Sequence, residues 1–363
     1  MIALLFSAAV AAYPAPAQAA IGIDDAAGLS AFLNAAGVHA RSVSADEIGR
    51  QLREQVGLDP LTLKSPRTLV FAQHAVGMIA TLDAARARAA LATWKRPTRI
   101  GLVTKGKLYT ASGRDAQALL KALQRPRALE KRLQTKGPVS LWFALAPPLQ
   151  FAGFSLDASA RGLTISGLVT AAKPILQGPA PARCDPAQMG CLSASLGPAG
   201  IELLMRTLVK AGQPTPRGAS ETARVAARLD GIDPFALTSE RSVPRALHYA
   251  FALESPGAAS NGQCKTTPDG VFALSNPPCA PPVPLEPAGD ASADASIDLA
   301  QIDQALSRLT ALDALNGEAA AGAYGVHLLY GALLRHLGPL TLHAEPAKNG
   351  AAAAELSLHL PLH

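Results

Sequence analysis

The sequence predicts an α+β fold of two homologous tandem domains, each with a largely antiparallel sheet packed against helices. Three observations predict it. One order of landmarks occurs twice: a helix ending in Gly37, a second helix opening at Ser44 and then Gly57-Leu58-Asp59-Pro60, followed by a helix ending in Gly212, a second opening at Ser220 and then Gly231-Ile232-Asp233-Pro234, at offsets of 175, 176 and 174. Gly137-Pro138-Val139-Ser140-Leu141 is echoed by Gly338-Pro339-Leu340-Thr341-Leu342 at an offset of 201, so the second copy carries extra residues between its landmarks. Repetition of this kind bears on architecture before function. Helical and strand patterns also arrive in blocks rather than in βαβ alternation, which points to α+β. Finally, 363 residues suit about two to three domains, and 49% hydrophobic with only 17% charged residues excludes a disordered chain.

Residues 1–19 read as a signal peptide, 20–173 as the first repeat, 174–198 as a disulfide-stapled connector, and 199–363 as the second repeat with a Pro-rich insertion at about 255–296. The leader reading rests on the apolar run 2–12 and the small-x-small site Ala17-Gln18-Ala19, although no Lys or Arg precedes the run. A run of about ten residues is too short for a spanning helix, which needs about twenty, so the mature chain is expected to lack one.

In the first repeat, Leu29, Phe32, Leu33 and Ala36 follow the i, i+3, i+4, i+7 spacing of an amphipathic helix that stops at Gly37. Ser44 and Glu47 form a capping box, each side chain satisfying a free N–H of the first turn. Asp59-Pro60 ends that second helix, because the residue before proline avoids the α region. Strands are expected at 68–72 and 76–82, a helix at 83–92, a hairpin of 99–103 with 107–111 around Lys105-Gly106, and helices at 114–123 and 127–135. A strand at 139–143 follows, with a partner strand at 163–168 after a turn at 160–162.

The second repeat opens with the same helical stripe at Ile201, Leu204, Met205 and Leu208. Residues 255–296, with six prolines between Pro277 and Pro287, read as a loose insertion. A helix from Asp298 carries Leu299, Ile302, Leu306 and Leu309. The apolar stretch 319–334 reads as a buried helix. In the terminal hairpin a loop centred on Gly350 pairs Leu342 with Leu358, which turns His343 and His359 away from the leucine face.

Four cysteines permit three pairings, of which the two local ones, Cys184 with Cys191 and Cys264 with Cys279, suit stapled loops. Neither spacing is the short Cys-x2-Cys of a zinc site. Gly101 to Lys107 matches the glycine and lysine positions of a phosphate-binding loop, but Leu108 replaces the hydroxyl residue and strand rather than helix follows. Nucleophile elbows, Ser-x-x-Lys pairs and zinc helices are absent from the sequence. Asp290, Asp294 and Asp298 lack the glycine and glutamate of a calcium loop and read as a solvated linker ending in a cap. No cofactor or metal is expected.

Charge is the sharpest partner signal. Residues 86–136 hold fourteen Lys or Arg against Asp115 and Glu130, a net +12, whereas the whole chain is +6. Lys95, Arg96, Arg99, Lys105, Lys107 and Arg114 are the residues expected to meet an anionic partner, because such asymmetry builds a field that attracts one. Nucleic acid is disfavoured, since only Trp94 and Tyr109 in this segment offer stacking faces.

The Gly-(Leu/Ile)-Asp-Pro step, the passage from Leu108 to Asp115 and the Gly-Pro-(Val/Leu)-(Ser/Thr)-Leu strand resemble a loose group of Ala/Leu-rich bacterial exported proteins of unknown function with an internally duplicated α+β domain. That resemblance implies an exported, duplicated protein without a known catalytic centre, and it carries over no functional residue. The expectation is therefore a non-enzymatic protein of the periplasm or cell envelope that presents its basic face to an anionic envelope component or an acidic protein. The alternatives are a periplasmic carrier of a lipid or other apolar ligand, and an enzyme with an unrecognised site.

Overall fold

The computed structural model describes residues 19–23, 26–35, 64–72, 74–81, 84–92, 99–104, 107–124, 139–181, 184, 188–210, 212–216, 218, 221–238, 243–256, 271–278, 285, 291–347 and 352–362. The fold is α+β with antiparallel ladders. The chain divides into two units between Val169 and Thr170.

In the first unit, β1 (Ala19–Ile23) leads into α1 (Ala26–Ala35), followed by β2 (Lys64–Ala72), β3 (Ala75–Thr81), α2 (Ala84–Ala92), β4 (Arg99–Thr104), β5 (Lys107–Gly113), α3 (Ala116–Leu123), β6 (Val139–Ala144), β7 (Leu149–Ser159) and β8 (Gly162–Ala171). The strand order is β8-β7-β6-β1-β2-β3-β5-β4. Helix α3 lies across β3 and β5 and buries Ala116, Leu119 and Leu123 against Val70, Tyr109, Ala111 and Trp142. Gly113 ends β5 at φ +114, and a Cβ there would lie 2.3 Å from the carbonyl oxygen of His74, so both its conformation and its neighbour require glycine.

The expected helix 29–37, strands 68–72 and 76–82, helix 83–92 and hairpin 99–111 all agree with these elements. Strand 163–168 was expected to follow 139–143 as its partner. Instead β7 intervenes and takes that place, with Val139 opposite Leu156 and Phe143 opposite Ala152. The capping box at Ser44 and the helix at 127–135 lie outside the described residues.

In the second unit, β9 (Gly190–Leu196) and α4 (Pro198–Lys210) are followed by β10 (Ala223–Ile232), β11 (Leu247–Glu254), β12 (Val271–Asn276), β13 (Ala293–Ile297), α5 (Leu299–Leu306), α6 (Glu318–His336), β14 (Leu340–Pro346) and β15 (Ala353–Pro361). Short 3-10 turns occupy Pro234–Ala236 and Asp313–Asn316. The order is β12-β11-β10-β9-β13-β14-β15. One sheet face packs Val225 and Leu253 against Ile201 of α4, and Ala194, Ala293, Ala344 and Ala354 against Leu176. Gly212 at φ +67 stops α4 as expected, with the Gln213 N–H donating to the Leu208 carbonyl in the manner of a Schellman motif.

Four expectations are corrected here. The segment opening at Ser220 is not a helix but β10, paired with β9 on one side and β11 on the other. Residues 190–196, read as connector, are the central strand β9. The insertion at 255–296 contributes β12 and most of β13, so it is not uniformly loose. Helix α6 is not buried all round: Leu328, Leu329 and Tyr330 are exposed by 62%, 77% and 50%. The terminal hairpin follows its expected register, with Leu342 opposite Leu358 and His343 and His359 exposed.

Candidate functional site

The basic segment builds one edge of the first unit. Thr104 pairs with Lys107 and Arg99 with Ser112, so β4 and β5 form the hairpin that ends the sheet. Leu91 of α2 packs over Gly101 of β4, and α3 covers the same end of the sheet. Arg88 on α2, Arg114 in the turn before α3 and Lys121 on α3 are exposed, and Lys107 is half-buried. Asp115 is the sole acid in the sequence between Ala84 and Gln124. Lys95, Arg96 and Lys105 lie outside the described residues, as do the basic residues from Arg125 to Lys136. Of the six anion-binding candidates, Arg99, Lys107 and Arg114 lie on or beside this hairpin, Arg99 and Arg114 at one end and Lys107 at the other.

The polar chemistry of the second unit was missed by sequence reasoning. Asp294 of β13 stands opposite Ser193 of β9 and His343 of β14. Opposite residues on antiparallel strands share a face. His343 Nδ1 lies 2.7 Å from Asp294 Oδ1, and the Cys184 N–H donates to Asp294 Oδ2 at 2.8 Å. Cys184 is bonded to Cys191, which stands opposite Ser296 on the same sheet face. The disulfide loop is thus strapped down on Asp294, which explains a carboxylate only 8% exposed. This corrects the reading of Asp294 as part of a solvated linker. The period-2 run Ala293-Asp294-Ala295-Ser296-Ile297 was the signal available. Closing so short a loop contributes about 2 kcal/mol in the chain-entropy model. Cys264 and Cys279 lie outside the described residues.

Ser357 stands opposite His343, so Ser357, His343 and Asp294 form a row across three strands. A histidine held at Nδ1 by a carboxylate has Nε2 available for proton transfer. The His343 side chain is 60% exposed, while Asp294 is held under Cys184. The contact that the row makes with the disulfide loop is the Cys184 N–H to Asp294 bond.

Asp303 of α5 forms the second carboxylate cluster. It is 1% exposed, its Oδ1 lies 2.8 Å from His327 Nδ1, and its Oδ2 lies 3.5 Å from Arg335 Nε. His327, Gly331 and Arg335 are spaced four apart along α6, so they form one stripe facing Asp303. Gly331 lacks a side chain where the carboxylate sits, since a Cβ there would approach Oδ1 to 2.7 Å. This cluster fastens α6 to α5. Among the described residues no group of three His, Cys, Asp or Glu side chains is placed to hold a metal ion, and no helix is long and apolar enough to cross a membrane.

No protein-family model matches the chain, and no curated protein does. A solved structure titled "Structure of crystal form III of TP0453" is similar at 10% identity over 57% of this chain and 88% of that chain, with a TM-score of 0.25.

Asp298 caps α5 as expected, its Oδ1 accepting from the Gln301 N–H at 2.9 Å. Before α6, Thr310 and Asp313 cap each other: the Thr310 N–H and hydroxyl both donate to Asp313 Oδ2, and the Asp313 N–H donates to Thr310 Oγ1. These bonds favour the charged form and lower the Asp313 pKa from 3.8. A lowered carboxylate pKa adds stability that is present above 3.8 and lost as pH falls through the folded value. Asp313→Asn should therefore lower Tm at pH 7 and lower it less at pH 2. An equal deficit at both pH values would show that the carboxylate charge is irrelevant.

Proposed function

We propose that this is a non-enzymatic exported cell-envelope protein that binds an anionic surface through the basic edge of its first unit. The observation that carries the reading is the terminal β4–β5 hairpin, whose flanks expose Arg88, Arg114 and Lys121 with Asp115 as the lone intervening acid. Export is supported by the apolar run and small-x-small site before residue 20, and by the Cys184–Cys191 disulfide, a bond of oxidising compartments. The two units are read as products of a tandem duplication. Each opens with a strand placed inside its sheet, β1 between β6 and β2 and β9 between β13 and β10, and each such strand is followed by a helix. The Gly-Pro-x-x-Leu strands break the correspondence, since β6 neighbours β1 whereas β13 separates β14 from β9.

The test is flotation of the full chain with vesicles of phosphatidylglycerol and phosphatidylcholine. Each basic residue near an anionic membrane is worth about 1 kcal/mol. Replacing Lys95, Arg96, Arg99, Lys105 and Lys107 with Glu should therefore weaken binding at least about a thousandfold, on the order of 5 kcal/mol. Binding by the parent should also fall steeply with salt. A variant that floats like the parent reduces the basic edge to a solvated surface that discourages edge-to-edge association. A lipid extracted from the purified protein would instead favour the carrier.

A further inference from the structure

We infer that the outer face of α6 is a self-association surface that pairs two copies of this chain in antiparallel fashion about a two-fold axis passing over residue 327. This inference does not depend on the basic edge. Helix α6 carries no Asp, Glu, Lys or Arg from Ala319 to Leu334, and His327 turns inward to Asp303. Its inner face meets α5 through Ala320, His327 and Gly331. The opposite face runs through Glu318, Gly322, Gly325, Leu329, Ala332 and His336, with successive spacings of 4, 3, 4, 3 and 4. That alternation is the seam of a helix that packs against another helix.

The seam is exposed. Leu329 is 77% exposed, Glu318, Gly322, Ala332 and His336 are exposed, and a Cβ at Gly322 or Gly325 would meet nothing within 4 Å. Val326, Leu328 and Tyr330 flank it, and the 3-10 turn packed along α6 adds Leu312 and Leu315 at 76% and 80% exposure. An apolar face of this kind marks an interaction surface.

Charge and size select the occupant. The helix is acidic at its start, with Glu318, and basic at its end, with Arg335 and His336. A second copy laid antiparallel sets Glu318 opposite the other copy's His336 at both ends, which also opposes the helix dipoles. The same operation sets Gly322 opposite Ala332 and Gly325 opposite Leu329. Each large side chain then meets a position without one. An isologous two-fold contact requires this self-complementarity, whereas a lipid surface has no use for a palindromic order of charge and size.

The helix is about 28 Å long and about 10 Å wide, so the strip covers on the order of 300 Å² per copy, below the roughly 800 Å² of a standard interface. The dimer should accordingly be weak and concentration-dependent. Sedimentation of the full chain at increasing concentration up to about 100 µM should show monomer passing to dimer. Leu329→Glu should weaken the dimer at least tenfold. Glu318→Lys should weaken it, and adding His336→Glu should restore it. Glu318 and His336 are both exposed and outside the core, so the exchange remains informative if Leu329→Glu fails to fold. A monomer at every concentration overturns the inference, as does a dimer indifferent to Leu329→Glu or an exchange that does not restore association. A monomer that floats with phosphatidylglycerol vesicles through Leu329 would overturn it in favour of a lipid surface.

Discussion

Gly317→Ala should destabilise the second unit by about 3 kcal/mol or more, above the usual overpacking cost of 1 to 3 kcal/mol. A Cβ at residue 317 would lie 1.7 Å from the carbonyl oxygen of Thr238 and 2.7 Å from its carbonyl carbon. Both are backbone atoms, so no rotamer change relieves the clash. Thr238 follows the turn Pro234–Ala236, where Asp233 accepts from the Phe235 N–H, while the Gly317 carbonyl accepts the Ala321 N–H in the first turn of α6. The added methyl must therefore pry the Gly-Ile-Asp-Pro turn from the start of α6. Urea unfolding followed by far-UV circular dichroism measures the loss. Gly322→Ala serves as the control: it lies on the same helix with nothing within 4 Å, and at dilution it should gain up to about 1 kcal/mol from helix propensity alone. A Gly317→Ala midpoint equal to the parent's would mean that the close approach is not made in solution.

Asp303 and Gly331 should show a reversal of sign in a double-mutant cycle. Asp303→Ala removes a buried carboxylate that takes His327 at 2.8 Å, and should cost about 2 to 3 kcal/mol. Arg335 adds little to that figure because its side chain is 62% exposed. Gly331→Ala in the parent places a Cβ 2.7 Å from Asp303 Oδ1 and 3.1 Å from His327 Nδ1, so it should destabilise despite the better helix propensity of alanine. In the Asp303→Ala background the closest obstruction is gone and His327 is no longer held by the carboxylate, so the same substitution should stabilise by up to about 1 kcal/mol. Additive effects within about 0.5 kcal/mol would mean that the two residues do not share this space.

Much of the local structure was legible because it follows from short-range rules. The αL stop at Gly212, the Asp298 cap and the Leu342–Leu358 register each depend on a few neighbouring residues. The segment Ala223–Ile232 was misread because its alanines and spaced arginines suit a helix. In the fold it lies between β9 and β11, with Val225 and Ala226, which face opposite sides, both buried. Intrinsic preferences differ by less than about 1 kcal/mol per residue, and two ladders with burial on both faces outweigh them. The site was legible only in part. The charge of 86–136 could be counted, but that Arg99 and Lys107 belong to the hairpin at the end of the sheet depends on strand order.

An α+β chain with antiparallel hairpins, its main helix stops and caps, one local disulfide and a basic segment could all be read before folding, because each follows from periodicity, turn chemistry or counting. Tertiary structure alone decided that β9 and β13 lie side by side inside a sheet, that Asp294 holds the disulfide loop, that Asp303 takes the space left by Gly331, and that α6 turns a second apolar face to solvent. The paired residues are between 28 and 110 positions apart, and no local rule reports which distant group will occupy a given space.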